Sequence, residues 1–156
     1  MWPELKEEIG VELGLLGQLL AQFAALRERV RSATPDLVES AALATFLHSF
    51  YNGVENVFRR VESHTEDQPF PRREDWHRTL LGRMAVPAKN RPAVLSGPLH
   101  DRLLRYLNFR HVFRHAYTFQ LQWGKMAPLV LDARDVFDGF EREIRAFLDT
   151  AAPPES

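Results

Sequence analysis

The amino-acid sequence predicts an all-α protein, an up-down bundle of four long helices plus a short fifth. Apolar residues recur every three or four positions along four long segments, the spacing of a helix with one buried face. Prolines cluster between these segments, where helices end. No stretch shows the alternation of apolar and polar residues that is typical of a half-buried β-strand.

Length and composition are those of one ordinary globular domain. The chain has 156 residues, of which 45% are hydrophobic and 26% charged, and we expect a single helical domain over 1–150 and a flexible tail at 151–156. The net charge of −1 excludes a global basic field, so any RNA contact must be a local patch, for which 102–114 is the candidate.

The same composition bears on location. The chain has no cysteine, which excludes disulfides and thiolate metal sites and suits a reducing cytoplasm, the location we expect. No apolar run reaches the roughly 20 residues that a membrane span needs. The N-terminus is acidic, unlike a signal peptide.

The first helix is expected from about Pro3 to residue 32. Its acidic first turn lies at the positive end of the helix dipole. Gly10, Gly14 and Gly17 either allow a neighbouring helix to approach closely or are simply tolerated. The apolar stripe consists of Leu5, Ile9, Leu13, Leu16, Leu20, Phe23 and Val30.

The second helix is expected over 35–62, after a Thr34-Pro35 pair that supplies an N-cap and an N1 proline. Its polar residues Tyr51, Asn52 and Glu55 stand out on a mostly apolar helix. Either they form a hydrogen-bonded surface group, or Glu55 or Asn52 orients a functional residue of the facing helix. The buried stripe consists of Leu43, Leu47, Phe50, Val54, Val57 and Val61.

A short third helix is expected over 74–84, between irregular connections at 63–73 and 86–98. Trp76, Leu80 and Leu81 should point inward, whereas His77 is interpreted as a packing or surface residue and not as a catalyst.

Ser96 is the expected cap of the fourth helix, which should reach about Phe119 or beyond. Gly124 and Pro128 interrupt it or separate it from the last helix, expected over 129–150. The last stripe consists of Val130, Ala133, Phe137, Phe140, Ile144 and Phe147.

The fourth helix contains an anomaly. Arg110 occupies a position that belongs to the buried stripe, and burying a guanidinium without a partner costs several kcal/mol. We therefore expect Arg110 to face either a partner charge or a cleft that receives an anion. The stripe consists of Leu99, Leu103, Tyr106, Arg110, Phe113 and Tyr117.

The segment from Arg110 to Tyr117, RHVFRHAY, resembles the RX4-6H motif of HEPN-domain ribonucleases. It is still more similar to the RX4HXY form of HepT-type toxins. YNGVEN at 51–56 and the Trp76-His77 pair also look like one branch of HepT-like proteins. The resemblance extends from about residue 5 to residue 150.

This resemblance implies a HEPN-like bundle and a metal-independent endoribonuclease toxin of a type VII-like toxin–antitoxin pair. Arg110 and His115 would be catalytic, in a composite cleft formed by the paired motifs of a homodimer. A nucleotidyltransferase antitoxin of the MntA kind would neutralise the toxin by adenylylating the motif tyrosine, here Tyr117. The supporting residues would be His111, Arg114, Glu55 and Asn52.

Arginine and histidine together suit cleavage of an RNA phosphodiester without a cofactor. A histidine can take the proton from a ribose 2′-OH or give one to the leaving oxygen, and an arginine can hold the nonbridging oxygens. Use of the 2′-OH as nucleophile restricts the reaction to RNA. His111 and His115 have a spacing that can bind zinc, but no third ligand is evident, so no metal is predicted.

The motif sets a geometric problem. Residues five apart on a straight helix point about 140° from each other, so Arg110 and His115 converge poorly, whereas Arg110 and Tyr117 share a face. Either the helix is distorted or two chains contribute, and the resemblance implies two chains. The opposing hypothesis is a catalytically inactive HEPN bundle, with a salt-bridged arginine and a core histidine, that serves as a binding or scaffold partner of a nucleotidyltransferase.

Overall fold

The computed structural model describes residues 2–66 and 73–150, and within them the chain is helical, with no strand beyond an isolated bridge between Ala88 and Arg91. The predicted all-α class is confirmed. The tail expected at 151–156 lies outside the described residues, as does part of the predicted 63–73 loop. The helices are α1 (Trp2–Gln22), α2 (Ala24–Arg29), α3 (Leu37–Thr65), α4 (Trp76–Met84), α5 (Gly97–His115) and α6 (Trp123–Thr150), with a 3₁₀ turn at Thr118–Gln120.

The central helix of the bundle is α3, which packs against α1, α4, α5 and α6. It starts slightly later than predicted, at a capping box in which Asp36 accepts the Glu39 N–H at 2.8 Å and the Glu39 carboxylate accepts the Asp36 N–H at 3.0 Å. It also runs to Thr65, three residues into the predicted loop. All six residues of its predicted stripe are buried.

The predicted first helix is broken at Phe23 and continues as the short α2. Next to the break lies a buried arginine, Arg27, whose guanidinium donates to the Leu20 carbonyl at 3.0 Å and lies 5.6 Å from the centre of the Phe46 ring. Sequence reasoning missed this arginine, although it occupies a stripe position as Arg110 does.

Close approach between α1 and α3 occurs at Gly53, where a Cβ would overlap the Leu16 side chain. At Gly10, Gly14 and Gly17 a Cβ would meet nothing within 4 Å. These three glycines are therefore tolerated and are not packing positions.

The cap of α5 is the predicted Ser96, whose hydroxyl accepts the Leu99 N–H at 3.3 Å. Glu143 of α6 accepts both the Ser96 N–H, at 2.6 Å, and the Ser96 hydroxyl, at 2.9 Å. Further along, the buried Tyr106 hydroxyl donates to the Leu129 carbonyl at 2.7 Å, which ties α5 to α6.

The boundary between the last two helices differs from the prediction. α5 ends at His115 rather than near Phe119, and α6 begins at Trp123 with Pro128 inside it. A proline in the second turn removes one backbone hydrogen bond, and the packing of the apolar face retains the helix. All six residues of the predicted stripe of the last helix are buried.

Candidate functional site

A cleft of about 610 Å³ lies between α4 and the second half of α5. Three predicted site residues, Arg110, His111 and Arg114, line it from α5. Arg78 and His77 line it from α4, and Glu74 and Asp75 lie at its rim. The cleft thus presents three guanidinium groups, the side chains that could bind an anion, together with two carboxylates.

The Arg110 guanidinium has a charged partner in this cleft. Its NH1 nitrogen lies 3.6 Å from a carboxylate oxygen of Glu55, which is buried on α3. It also lies 2.9 Å from Nδ1 of His77. Arg110 thus combines both expected solutions, since it faces a partner charge and also lines a cleft. Of the two α3 residues expected to orient the motif, the structure brings Glu55 to Arg110.

The Glu55 carboxylate contacts both His77 and Arg110. Both oxygens of Glu55 lie close to His77 Nδ1, at 2.8 and 2.9 Å. Nδ1 cannot donate to Glu55 and accept from Arg110 at the same time. With two carboxylate oxygens in range, we assign the Nδ1 proton to the bond with Glu55, and the same carboxylate attracts the Arg110 guanidinium. With Nδ1 bonded to Glu55, Nε2 lies on the other side of the ring and carries no proton.

The His77 ring is also held by stacking. It lies 3.7 Å from the Trp76 ring, at an angle of 30°, and the Arg59 guanidinium lies 4.7 Å from the centre of the Trp76 ring. The interpretation of His77 as a packing or surface residue overlooked its contacts with Glu55 and Arg110. The Trp76-His77 pair was the available signal, but the short α4 gave no periodicity from which to infer its neighbours.

Two further residues of α3 face Arg110 and were not singled out as its neighbours. His48 and Tyr51 precede Glu55 at helical spacings, so all three lie on one face. Burial raises the pKa of the Tyr51 hydroxyl, and the Glu55 carboxylate adds to this rise. Burial lowers the pKa of His48, and the positive charges of Arg110 and Arg114 lower it further.

Several polar atoms at this place lack partners. Within the part of the chain that the structure describes, His48 Nδ1, the Tyr51 hydroxyl and Arg110 Nε are buried without a hydrogen bond. Buried polar groups are satisfied in most proteins, and these three atoms lie on the side chains around Arg110. Asn52, in contrast, is half-buried on α3, and in residues 2–66 and 73–150 it makes no hydrogen bond to Arg110.

His115 does not line this cleft. It is the exposed last residue of α5, and its ring lies 4.8 Å from that of His111 in an edge-on arrangement. Because α5 continues without interruption to His115, helix distortion does not bring Arg110 and His115 together. The contribution of a second chain stays a prediction.

The prediction that Tyr117 shares a helix face with Arg110 is wrong. Ala116 and Tyr117 have extended backbone, with ψ of 143° and 151°, because α5 has already ended. The Tyr117 N–H donates to the Gln120 side chain at 2.9 Å, which closes the following turn. The Tyr117 ring is 70% exposed and stacks on that of Phe119, with 5.5 Å between centres.

Among the described residues, no three histidine, aspartate or glutamate side chains are grouped as a metal site would require. Over the same ranges, none of the helices combines the length and apolar character of a membrane span.

Comparison with known families gives one match. Residues 42–151, more than two thirds of the chain, match the family described as HepT-like protein. The matched region runs from within α3 to the end of α6 and includes the whole cleft and Tyr117. Neither the search of curated proteins nor the search of solved structures gave a match.

Proposed function

The chain belongs to the HepT-like protein family, and from this premise we propose that it is a metal-independent endoribonuclease toxin of a type VII-like toxin–antitoxin pair. The observation that carries the proposal is the cleft in which Arg110, His111 and Arg114 meet His77. A phosphodiester fits this concentration of positive charge. The Arg110 guanidinium would hold the nonbridging oxygens as negative charge develops during cleavage.

In this proposal His115, the second motif residue, comes from the other copy of a homodimer. Exposed apolar side chains lie beside the motif, namely Val112 at 53%, Tyr117 at 70% and Phe119 at 74% exposed. The first half of the Leu99–Tyr117 stripe is buried within the bundle, so this patch is the surface that a second copy would cover. His115 of that copy would then complete the site beside Arg110.

The proposal is tested by RNA cleavage in the presence of a metal chelator. We expect the wild-type protein to cleave and His115→Ala to be slower by about 10²–10⁴-fold, the usual cost of losing a proton-transfer group. His111→Ala, one turn away on the same helix, is the control and should lose much less activity. Equal rates for His115→Ala and wild type would remove His115 from the catalytic residues.

We also propose Tyr117 as the residue that a cognate nucleotidyltransferase adenylylates. The chain has three tyrosines, and the other two, Tyr51 and Tyr106, are 0% and 2% exposed, so only Tyr117 offers its hydroxyl to another enzyme. Tyr117→Phe should keep most of its ribonuclease activity and escape neutralisation. Intact-mass spectrometry after incubation with the partner and ATP should show adenylyl units on wild type and none on Tyr117→Phe.

A second candidate function is supported by the Glu55 contact. The carboxylate occupies one side of the Arg110 guanidinium, as in the inactive bundle that would act only as a partner or scaffold of a nucleotidyltransferase. That function predicts binding of the nucleotidyltransferase by a protein that cleaves no RNA at any concentration. Measurable cleavage by wild type, lost in His115→Ala, decides for the enzyme.

A further inference from the structure

We infer that His77 is a catalytic residue of the cleft, taking the proton from the ribose 2′-OH, and that Glu55 is its positioning residue. The inference rests on the ribonuclease activity proposed above. It adds to that proposal a histidine from outside the Arg110–Tyr117 motif, on a different helix, which meets Arg110 within a single chain.

The geometry is that of a histidine oriented for proton transfer. Nδ1 is engaged by the buried Glu55 carboxylate at 2.8 Å, and the ring is fixed by stacking on Trp76. The side chain is partly exposed, at 18%, and lines the cleft. A carboxylate that binds Nδ1–H leaves Nε2 as the proton acceptor and stabilises the imidazolium that forms.

Arg110 places an anion-binding group beside His77. The guanidinium lies 2.9 Å from His77 Nδ1, so a phosphate held by Arg110 in the cleft would lie close to the ring, whose other nitrogen, Nε2, is not bound by Glu55. By contrast, His64 of α3 also has a carboxylate partner, with Nε2 2.7 Å from Glu8, but it does not line this cleft. The combination of an oriented histidine, an arginine and an open cleft occurs at His77.

The reaction balances with two proton-transfer groups. His77 Nε2 takes the 2′-OH proton as the 2′-oxygen forms its bond to phosphorus. The bond from phosphorus to the 5′-oxygen breaks, and the leaving oxygen takes a proton from the protonated His115 of a second copy. The products are a 2′,3′-cyclic phosphate and a 5′-hydroxyl, and both histidines return to their starting states by exchanging protons with water.

The decisive variant is His77→Asn. The asparagine amide can donate to Glu55 from the place of Nδ1–H, so the surroundings of Arg110 are retained, but it cannot take a proton at neutral pH. We expect cleavage to fall by about 10²–10⁴-fold while dimer formation and helicity stay at wild-type values. The limb of the pH–rate profile that reports the base should disappear. His64→Asn is the matched control and should cleave at the wild-type rate.

An RNA with sulfur in place of the 5′-bridging oxygen separates the base from the acid, because a thiolate leaves without a proton. His77→Asn should remain slow on this RNA, whereas His115→Ala should recover. Should His77→Asn fail to fold, His77→Gln serves in its place, and Glu55→Gln should show a smaller loss than either.

The outcomes distinguish this inference from the activity on which it rests. A wild-type protein that cleaves no RNA overturns the ribonuclease proposal and this inference together. An active wild type with an equally active His77→Asn overturns only the role of His77. Recovery of His77→Asn on the sulfur-containing RNA overturns its assignment as the base.

Discussion

Two arginines interrupt apolar stripes of this bundle, and the structure holds them in different ways. Arg27 and Arg110 each lie four residues after one stripe member and three residues before the next. By spacing alone they are the same anomaly. Their surroundings differ in two respects, the chemistry of the partner and access to solvent.

Arg27 is bound by groups that do not titrate. Its guanidinium donates to the Leu20 carbonyl and lies over the Phe46 ring, and the residue is 9% exposed. Burial lowers its pKa, and the nearby charges of Arg134 and Arg31 add to this. An arginine closed in this way fastens the break between α1 and α2, and it has no room for a ligand.

Arg110 lies among ionisable side chains. Its charged partner is the Glu55 carboxylate, the His77 imidazole lies beside it, and the same guanidinium lines an open cleft. A charge in an apolar stripe therefore does not by itself mark a functional site. Ionisable partners and an open cleft distinguish the arginine that can do chemistry from the one that holds the fold.

Among the changes that compare the two arginines, Arg110→Ala has the largest expected effect. We expect RNA cleavage to fall by about 10²–10³-fold, as when one donor that stabilises the transition-state charge is removed. Glu55 keeps His77 as a donor, so the variant should stay folded by circular dichroism. Arg145→Ala is the control, since Arg145 lies on α6, does not line the cleft, and pairs with Glu141 at 3.2 Å. Wild-type cleavage by Arg110→Ala would make the two stripe arginines equivalent.

Arg27→Ala should lower stability and leave RNA cleavage unchanged, the opposite of Arg110→Ala. The change removes the side-chain donor to the Leu20 carbonyl together with packing on Phe46, so we expect the free energy of unfolding to fall by about 1–3 kcal/mol. Cleavage per folded molecule should be unchanged. Urea unfolding measures the first quantity and an RNA assay the second. The control Arg29→Ala removes an exposed ion pair with Glu39 and should cost less than about 1 kcal/mol.

Most of the fold could be predicted because helical periodicity is a local property. The stripes of α3 and α6 and the Ser96 cap follow from residues near one another in the chain. The helix ends were harder to predict. Extended backbone at Ala116 and Tyr117 ends α5 within a run of helix-compatible residues, and no proline or glycine marks the place.

The sequence placed candidate site residues on α5 and, with Glu55 and Asn52, on α3, but it did not place His77 of α4 beside them. Arg110, His111 and Arg114 are close in sequence, so one helix face brings them to the cleft. The contact between His77 and Glu55 joins residues 22 positions apart on two helices, and its distance depends on how α4 packs on α3. The buried position of Arg27 could have been predicted, because its spacing repeats that of Arg110. Its neighbours, the Leu20 carbonyl and the Phe46 ring, could not.

The smallest expected effect is a pH dependence of stability that belongs to the Arg110 region. The pKa of His48 in the folded protein is lowered below 6.5 by burial, and further by Arg110 and Arg114. As pH falls through 6.5 toward the lowered value, the unfolded chain binds a proton that the folded protein does not. The free energy of unfolding should therefore decrease on acidification, and this contribution is fully present only above pH 6.5.

Variants test whether His48 causes this pH dependence of stability. Urea unfolding at about pH 8 and about pH 5 gives the loss of stability on acidification, and His48→Gln should make that loss smaller because it removes the group that titrates. Arg110→Ala should also reduce it, since the guanidinium is one cause of the lowered pKa. Arg27→Ala, although less stable at both pH values, should show the same difference between them as wild type. If His48→Gln loses as much stability as wild type on acidification, the coupling between His48 and the Arg110 guanidinium is absent, and the two arginine environments differ only in their access to the cleft.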